Sequence, residues 1–311
     1  MSVLTITVNP AIDISTNLDH VAPEIKLRCE RPGYDPGGGG INVSRVLSRL
    51  GVDTTAIFPI GGETGGYLEK LVRDEGISTV TIPYDGRTRQ NFSAGERSSG
   101  NQYRFGMPGE PLADDVWQQI LDRITTLKKK PEYIVGSGSL PPGVPDDFYN
   151  MLADIGKDIG AKVIIDTSGK PLKRAVESGV FLLKPNIREL RDLTGREIEN
   201  EDEQESTAQE LLKSGKCEAI VLSLGAAGVL FVTKSGHERL RAPSVSIKSK
   251  IGAGDSTVAG IIYGLIKEND LAKAVRMGIA AGAAAVMTPG SQLACKDDIL
   301  RLYELIIKKR I

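Results

Sequence analysis

Short runs of β-branched and other apolar residues recur along the chain, separated by segments with a helical pattern. The runs that predict strands are residues 3–8, 54–60, 133–135, 163–166, 181–183 and 219–224. Two segments between or after them carry apolar residues every three or four positions, namely Val43, Val46, Leu47 and Leu50, and Val258, Ile261, Ile262 and Leu265. Such spacing predicts helices with one apolar face. Alternating strands and helices favour an α/β fold with a central, mostly parallel sheet flanked by helices.

Two segments interrupt this alternation, at about residues 12–34 and 87–106. The second is typical of a hairpin that turns at Gly95 or at Ser99-Gly100. We expect both segments to form a small, separate β-sheet. Placed over the carboxyl ends of the main strands, it would be a lid on the crevice where open α/β sheets bind ligands. The alternative is a pair of solvated surface loops.

Composition narrows the range of partners. The chain has 311 residues with 39 basic and 40 acidic ones, and this balance gives no general attraction to nucleic acid or to an anionic membrane. No segment stays apolar for the length of a membrane span, and the N-terminus lacks a basic, apolar leader. Cys29, Cys217 and Cys295 are widely spaced, which fits a reducing compartment. We therefore expect a cytoplasmic protein that binds neither nucleic acid nor membranes.

The run Ile251-Gly252-Ala253-Gly254-Asp255-Ser256 precedes the second of these helical patterns. Small residues there allow consecutive backbone N–H groups to face an anion at a helix N-terminus, where the helix dipole adds positive potential. Asp255 could take a proton beside that anion. These are the minimal parts for moving a phosphoryl group from a nucleotide to a hydroxyl. Taken alone, the run is also compatible with an ordinary glycine turn.

A second glycine run, Gly37 to Gly40, leads into Asn42 and the first helical pattern, and Asp13 follows the first strand. Glycines without Cβ atoms allow a ligand to approach the backbone, and a carboxylate in the crevice can accept hydrogen bonds from sugar hydroxyls. Neither the Walker A spacing nor GxGxxG is present, which disfavours a P-loop and an NAD-dependent oxidoreductase.

Three further turns follow predicted strands. Asn186 and Glu189 are three residues apart in the first turn of a helix, where they suit Mg²⁺, directly or through water, or simply cap that helix. The turn from Ser223 to Gly228 either borders a nucleotide or connects two strands. In the turn at residues 136–143, hydroxyl groups such as that of Ser139 could face the crevice.

Four cations lie in the two lid segments: Lys26, Arg28, Arg89 and Arg104. Because the whole chain is nearly neutral, these side chains could form a local site for a phosphorylated substrate. Each of them, considered singly, is also compatible with an exposed, solvated charge.

Taken in order, these motifs resemble those of the ribokinase-like sugar kinases, and the resemblance covers essentially residues 1–311 as a single domain. The segments NPAID, Lys26-Leu27-Arg28, GGGGINV, TRQN, GSGSLPPG, KPN-x-x-E and IGAGDS look most like those of the type 2 bacterial 6-phosphofructokinases. The 1-phosphofructokinases typically carry a lysine within the glycine run, where this chain has only glycine. The resemblance thus implies an ATP-dependent kinase for fructose 6-phosphate, with tagatose-6-phosphate kinase and 1-phosphofructokinase as alternatives. A non-catalytic sugar-phosphate-binding protein is an alternative of another class.

The resemblance also implies roles for individual residues. Asp255 would be the general base, ionised with an ordinary pKa, and the amides of Gly252, Ala253 and Gly254 would form the anion hole. The groups implied for the sugar and its phosphate are Asp13, Arg28, Gly37, Gly38, Gly39, Asn42, Arg89, Arg104 and Ser139. Those implied for the nucleotide are Lys26, Lys184, Asn186, Ser223, Gly225 and Gly228.

Two kinds of cation and a partner subunit complete what the resemblance implies. Asn186 and Glu189 would arrange Mg²⁺ and its waters. A monovalent cation, K⁺, would bind through groups of Ser249, Ile251, Ala285, Thr288, Gly290 and Gln292. A homodimer formed through the lid would let Arg28 reach the partner's site.

Overall fold

The computed structural model describes residues 2–309. Its strands are β1 (Val3–Ile6), β2 (Ala11–Leu18), β3 (Gly33–Gly37), β4 (Thr54–Ile60), β5 (Ser78–Pro83), β6 (Arg89–Glu96), β7 (Gln102–Phe105), β8 (Tyr133–Ser137), β9 (Lys162–Asp166), β10 (Val180–Leu183), β11 (Cys217–Ser223), β12 (Val229–Thr233) and β13 (Gly236–Leu240). Its α-helices are α1 (Gly39–Arg49), α2 (Gly62–Asp74), α3 (Asp114–Thr125), α4 (Phe148–Ile159), α5 (Gly169–Ala175), α6 (Ile187–Thr194), α7 (Glu201–Lys213), α8 (Ala253–Glu268), α9 (Leu271–Val286) and α10 (Lys296–Lys309).

The main sheet has nine strands in the order β13-β12-β11-β10-β9-β8-β1-β4-β5. The strands from β11 to β5 run parallel to one another, whereas β12 and β13 are antiparallel additions at one edge. The predicted mostly parallel sheet is therefore confirmed. Strands β5 and β13 were not predicted, since they are partly exposed edge strands that lack long apolar runs, and β12 was implied only by one alternative for the turn after residue 223.

Helices cover both faces of this sheet. On one face, Val46 of α1 and Val258 of α8 belong to a core that includes the alanine-rich helix α9. On the other, Trp117 of α3, Phe148 of α4 and Leu211 of α7 pack in a second core. Burial on both faces explains why the central strands are continuous apolar runs. Within residues 2–309, no helix has the length and apolar character needed to cross a bilayer.

A separate four-stranded sheet has the order β3-β2-β6-β7. This sheet, hereafter the lid sheet, is built from the two segments that interrupt the α/β alternation. The β6–β7 hairpin turns around Ser99-Gly100, as one alternative predicted, whereas Gly95 lies inside β6 and pairs with Gln102. Asp13, which follows the first strand and belongs to the first predicted lid segment, lies within β2 of the lid sheet.

Candidate active site

One cavity of about 470 Å³ lies between the lid sheet and the N-terminal ends of α1 and α8. It is lined by many of the residues singled out from the sequence, namely Asp13, Gly38, Asn42, Arg89, Arg104, Ile251, Gly252 and Asp255. The remaining lining residues are Ile14, Asn91, Phe92, Ser93, Phe105 and Gly106, all from the lid sheet or directly after it. Segments more than 200 residues apart in sequence thus meet around one space.

The N-terminus of α8 forms one wall of this cavity. Gly252 is the N-cap residue with φ of 70°, and no side chain caps the helix among the described residues. Ser256 N donates to Gly252 O across 2.8 Å, so the amides of the preceding residues in the first turn have no intrahelical acceptor. Uncapped amides at the positive end of a helix dipole suit an anion such as a phosphoryl group.

Asp255 lies in this first turn and is half-buried. Its Oδ2 accepts a hydrogen bond from Nδ2 of Asn42 across 2.9 Å. Burial raises the pKa of Asp255 to about 6, and the negative charge of Asp166 adds to this rise, while Asn42 and Lys184 oppose it. The ordinary pKa expected from sequence is therefore wrong, because burial of a carboxyl group among other acids disfavours its charged form. A pKa near neutrality suits a general base.

Lys184 and Asp166 stand beside Asp255. Lys184 follows β10, and its Nζ lies 3.2 Å from Oδ1 of Asp166, the last residue of the neighbouring strand β9. A Cβ built on Gly254 would come within 3.3 Å of Lys184 Nζ, which places the ammonium group next to the first turn of α8. Asp166 was missed from sequence, where it appeared only as the last residue of a predicted strand.

The glycine run joins β3 of the lid sheet to α1. Gly37 ends β3, Gly38 is the N-cap of α1 and lines the cavity, and Gly39 begins the helix. Gly40 is required by packing, since a Cβ there would lie 2.6 Å from the carbonyl oxygen of Ile6 in β1. The run therefore lets α1 begin directly against the end of a central strand, which brings Asn42 to the cavity.

The opposite wall comes from the lid sheet. Asn91 Nδ2 donates to Oδ1 of Asp13 across 2.8 Å, and burial raises the pKa of Asp13. The Arg89 guanidinium donates to the carbonyls of Asn9 and Met107, while its Nε has no partner among the described residues. Arg104 is exposed and lines the same cavity. Two guanidinium groups and two polar side chains thus face Asp255 and α8 across the cavity.

Comparison with known proteins shows to which protein family the chain belongs. The profile of the pfkB family carbohydrate kinases matches residues 2–298. The chain belongs to this family. It is 44% identical over 303 residues to ATP-dependent 6-phosphofructokinase isozyme 2 of Mycobacterium tuberculosis, covering 97% of this chain and 89% of that protein. It is also 32% identical to 1-phosphofructokinase of Bacillus subtilis, covering 92% and 93% of the two chains.

A solved structure shows the same fold. Phosphofructokinase-2 from Escherichia coli, in complex with potassium, superposes with a TM-score of 0.92 at 39% identity and covers 98% of this chain and 99% of that chain. The predicted ribokinase-like fold and the prediction of an ATP-dependent phosphotransferase are confirmed.

Many of the predicted site residues of this carbohydrate kinase do not line the cavity, among them Lys26, Arg28 and Ser139. Lys26 and Arg28 are exposed in the loop that joins β2 to β3. Ser139 is exposed too, and its Oγ accepts a hydrogen bond from Nδ2 of Asn9 across 3.1 Å. Within the described part of one chain, therefore, no contact joins these side chains to Asp255.

Asn186 and Glu189 form a reciprocal capping box at the start of α6. Asn186 Oδ1 accepts from Glu189 N, and Glu189 Oε2 accepts from Asn186 N, both across 2.9 Å. Burial raises the pKa of Glu189, although the backbone hydrogen bond from Asn186 opposes this effect. The capping alternative is thus observed, and it leaves Oε1 of Glu189 outside the capping box.

The turn after β11 has two structural roles in the kinase. Ser223 N donates to Pro185 O across 2.8 Å, which places this turn beside Asn186. Gly225 begins a short 3₁₀ turn that connects β11 to the antiparallel strand β12. At Gly228, where φ is 100°, a Cβ would lie 2.0 Å from Leu240 O. The turn therefore does connect two strands, and packing against β13 explains Gly228; its position beside Asn186 is equally compatible with a role in bordering a nucleotide.

The residues expected around a monovalent cation come from two neighbouring segments. Lys248 N and Ser249 N donate to Val286 O at the end of α9, and Thr288 Oγ1 donates to Ala285 O. Ser249 Oγ accepts from Ile251 N across 3.2 Å. The two segments therefore approach each other directly before α8, with Gly290 and Gln292 in the loop that continues from α9.

Proposed function

We propose that this kinase transfers the γ-phosphoryl group of ATP to a hydroxyl of fructose 6-phosphate, forming fructose 1,6-bisphosphate. The observation that carries the proposal is the position of Asp255, which lies in the uncapped first turn of α8 and in the same cavity as Arg89 and Arg104. A base, an anion hole and two guanidinium groups are together the parts needed to phosphorylate a sugar that already carries a phosphate.

In the proposed reaction, Asp255 accepts the proton of the attacking hydroxyl. The hydroxyl oxygen forms a bond to the γ-phosphorus as the bond from that phosphorus to the β,γ-bridging oxygen of ATP breaks, which leaves ADP. The amides of Gly252, Ala253 and Gly254 stabilise the charge on the transferring phosphoryl oxygens. The ammonium group of Lys184, close to Gly254, also stabilises the negative charge on these phosphoryl oxygens.

The lid sheet holds the acceptor sugar. Arg89 and Arg104 bind its existing phosphate, because guanidinium groups match phosphate oxygens in geometry and charge. Asp13, Asn42 and the backbone at Gly37, Gly38 and Gly39 hold the sugar hydroxyls, and Ser139 does so at the edge of the site.

The nucleotide lies beyond the first turn of α8, along the carboxyl ends of β10 and β11. Its neighbours are Lys26, Lys184, Asn186, Ser223, Gly225 and Gly228, of which Lys26 reaches the nucleotide only if its loop or a partner subunit moves it there. Lys184 is the buried cation of this set.

Mg²⁺ fits beside Glu189. Within residues 2–309 no cluster of three or more His, Cys, Asp or Glu residues forms a metal cage. Mg²⁺ keeps much of its hydration and is often held by one or two carboxylates together with substrate phosphates, so the free Oε1 of Glu189, with Asn186 beside it, suffices. Such an ion would neutralise phosphate charge.

K⁺ is assigned to the loops before α8 and after α9, which approach each other through hydrogen bonds to Val286 O. The proposed ligand groups belong to Ser249, Ile251, Ala285, Thr288, Gly290 and Gln292. The complex of the similar Escherichia coli enzyme with potassium supports this assignment. Activity that does not change when K⁺ is replaced by tetramethylammonium would argue against it.

The proposal extends to a homodimer formed through the lid sheet, as the sequence resemblance implies. Tyr34 and Phe105 of the lid segments are exposed apolar side chains, with 45% and 51% of their surface accessible. A partner covering them would bring an exposed Arg28 to the neighbouring cavity. Sedimentation equilibrium at micromolar concentration tests this, and a stable monomer would contradict it.

The predicted cytoplasmic location stays a prediction.

A substrate panel tests the main proposal. kcat/KM is measured in an ADP-coupled assay with MgATP and fructose 6-phosphate, tagatose 6-phosphate, fructose 1-phosphate or unphosphorylated fructose. We expect fructose 6-phosphate to be preferred. Preference for fructose 1-phosphate or tagatose 6-phosphate would move the assignment to 1-phosphofructokinase or tagatose-6-phosphate kinase. Binding without turnover would indicate the non-catalytic alternative.

A further inference from the structure

Arg45 is the largest of the fully buried side chains, with 1% of its surface accessible, although it carries a full charge. It lies on α1, one turn after Asn42, and does not line the cavity. Burying a guanidinium group is costly unless its donors are paired. Its hydrogen bonds therefore show what the group holds in place.

The donors of Arg45 reach three segments outside its own helix. Nε donates to Glu75 after α2 across 2.8 Å, and one terminal nitrogen donates to Asp35 of β3 across 3.2 Å. The other terminal nitrogen donates to the carbonyls of Pro36 and Ser291, each across 3.0 Å. Arg45 thus ties the lid strand β3, helices α1 and α2 and the loop after α9 together.

That second terminal nitrogen also lies 3.4 Å from Oδ1 of Asn42. The opposite end of the same amide donates from Nδ2 to Oδ2 of Asp255. If the amide turned over, its NH₂ group would face the N–H donors of Arg45 and its oxygen would face a carboxylate. Both contacts would then be repulsive, because guanidinium has no acceptor and an ionised carboxylate has no donor.

We propose that Arg45 is a positioning residue for the base: it fixes the amide of Asn42 so that Nδ2 always donates to Asp255. This inference rests on the proposed role of Asp255. A carboxylate held by one oriented donor keeps its second oxygen directed at the substrate hydroxyl, and small errors in that geometry are costly for transfer. Arg45 would act without touching substrate.

Arg49 provides a matched control on the same helix. It also donates to Glu75, with both terminal contacts near 3 Å, and to carbonyls of Gln292 and Ala294 in the loop after α9. Arg49 therefore shares the acidic partner and the loop with Arg45 but does not contact Asn42. A purely structural role would make the two residues equivalent.

The test compares Arg45→Lys with Arg49→Lys, since lysine keeps the positive charge that Asp35 and Glu75 require. An ammonium group has three donors for the five acceptors of Arg45, and the two carboxylates are the stronger partners, so the contact to Asn42 is lost. We expect kcat to fall on the order of tenfold to a hundredfold in Arg45→Lys, with KM for both substrates within a few-fold. Arg49→Lys keeps kcat within about threefold.

A double-mutant cycle with Asn42→Ala distinguishes an effect that passes through Asn42 from a general loss of stability. If Arg45 acts through Asn42, adding Arg45→Lys to Asn42→Ala causes no further loss of kcat, and this holds even if both variants lose stability in urea. The inference would be overturned if the losses of kcat in Arg45→Lys and Asn42→Ala multiplied in the double variant. It would also be overturned if Arg45→Lys and Arg49→Lys lost kcat equally.

The acid limb of the pH profile gives a third readout. The charged groups that face Asp255 are Asp166, Lys184 and Asp13. All three are unchanged in Arg45→Lys, so an upward shift of the limb relative to Arg49→Lys would report the lost donation from Asn42. An inactive wild-type protein would instead contradict the proposed function, whereas an active one with equivalent variants contradicts only this inference.

Discussion

The ammonium group of Lys184 lies 3.2 Å from Oδ1 of Asp166 at the carboxyl ends of the adjacent strands β10 and β9, next to Asp255. Burial raises the pKa of Asp255 to about 6; Asp166 adds to that rise, and Lys184 opposes it. The two partners of one ion pair thus shift the pKa of Asp255 in opposite directions. Each can be neutralised separately, which makes the tuning of Asp255 testable.

The first prediction concerns the pH dependence of the wild-type enzyme. Asp255 must be ionised to accept a proton, and its pKa is raised from the ordinary value of 3.8. Activity is therefore lost as the pH falls through about 6, not through about 4. The profile of log kcat/KM against pH reports this group in the free enzyme and should show an acid limb near 6. A limb below pH 5 would contradict the prediction.

The second prediction tests whether the acid limb of the pH profile belongs to Asp255 or to the substrate, because the phosphate group of a sugar phosphate also titrates near pH 6. Asp166→Asn removes a negative charge and should move the acid limb to lower pH. Lys184→Met removes a positive charge and should move it to higher pH. The pH profiles of both variants, measured with the same substrate, show which group titrates. An acid limb that belongs to the substrate phosphate would keep the same pH in both variants.

The third prediction is the effect of removing the carboxylate of Asp255, the proposed base. Asp255→Asn keeps the size of the side chain, and its amide oxygen can still accept from Asn42. We expect kcat to fall on the order of a hundredfold to ten-thousandfold, with KM for ATP and for the sugar within a few-fold, because a positioned base contributes that much. Turnover within tenfold of the wild type would show that the base is another group.

Much of this site could be predicted from the sequence because its parts are local. The small residues before Asp255 and the run before Asn42 identify two helix N-termini without reference to the rest of the chain. Asp166 and Arg45 could not be found that way. Each acquires its role from partners far away in sequence, Lys184 for the first and Glu75 and Ser291 for the second. The lid sheet was predicted as well, with Asp13 inside the first of its two segments.

The fourth prediction tests the phosphate site. Arg89→Ala should remove most of the preference for fructose 6-phosphate over unphosphorylated fructose, because the guanidinium group favours only the phosphorylated sugar. Arg97→Ala is the control: Arg97, in the turn after β6, pairs with Glu30 in the loop before β3 and does not line the cavity. The measured quantity is the ratio of kcat/KM for the two sugars. An unchanged ratio in Arg89→Ala would show that its charge does not face the substrate.

The fifth prediction compares two glycines in helices. Gly40→Ala places a methyl group 2.6 Å from the Ile6 carbonyl oxygen, and neither backbone can give way easily. We expect a loss of about 1–3 kcal/mol in the free energy of unfolding, the usual cost of overpacking.

Gly66 in α2 is the matched control, since it is exposed and a Cβ there meets nothing within 4 Å. Gly66→Ala should raise the free energy of unfolding by roughly 0.5–1 kcal/mol, because alanine is the better helix former. Urea unfolding measures both variants. Equal effects would show that the start of α1 can move away from β1, and the position of Asn42 opposite Asp255 would then not depend on the glycine run.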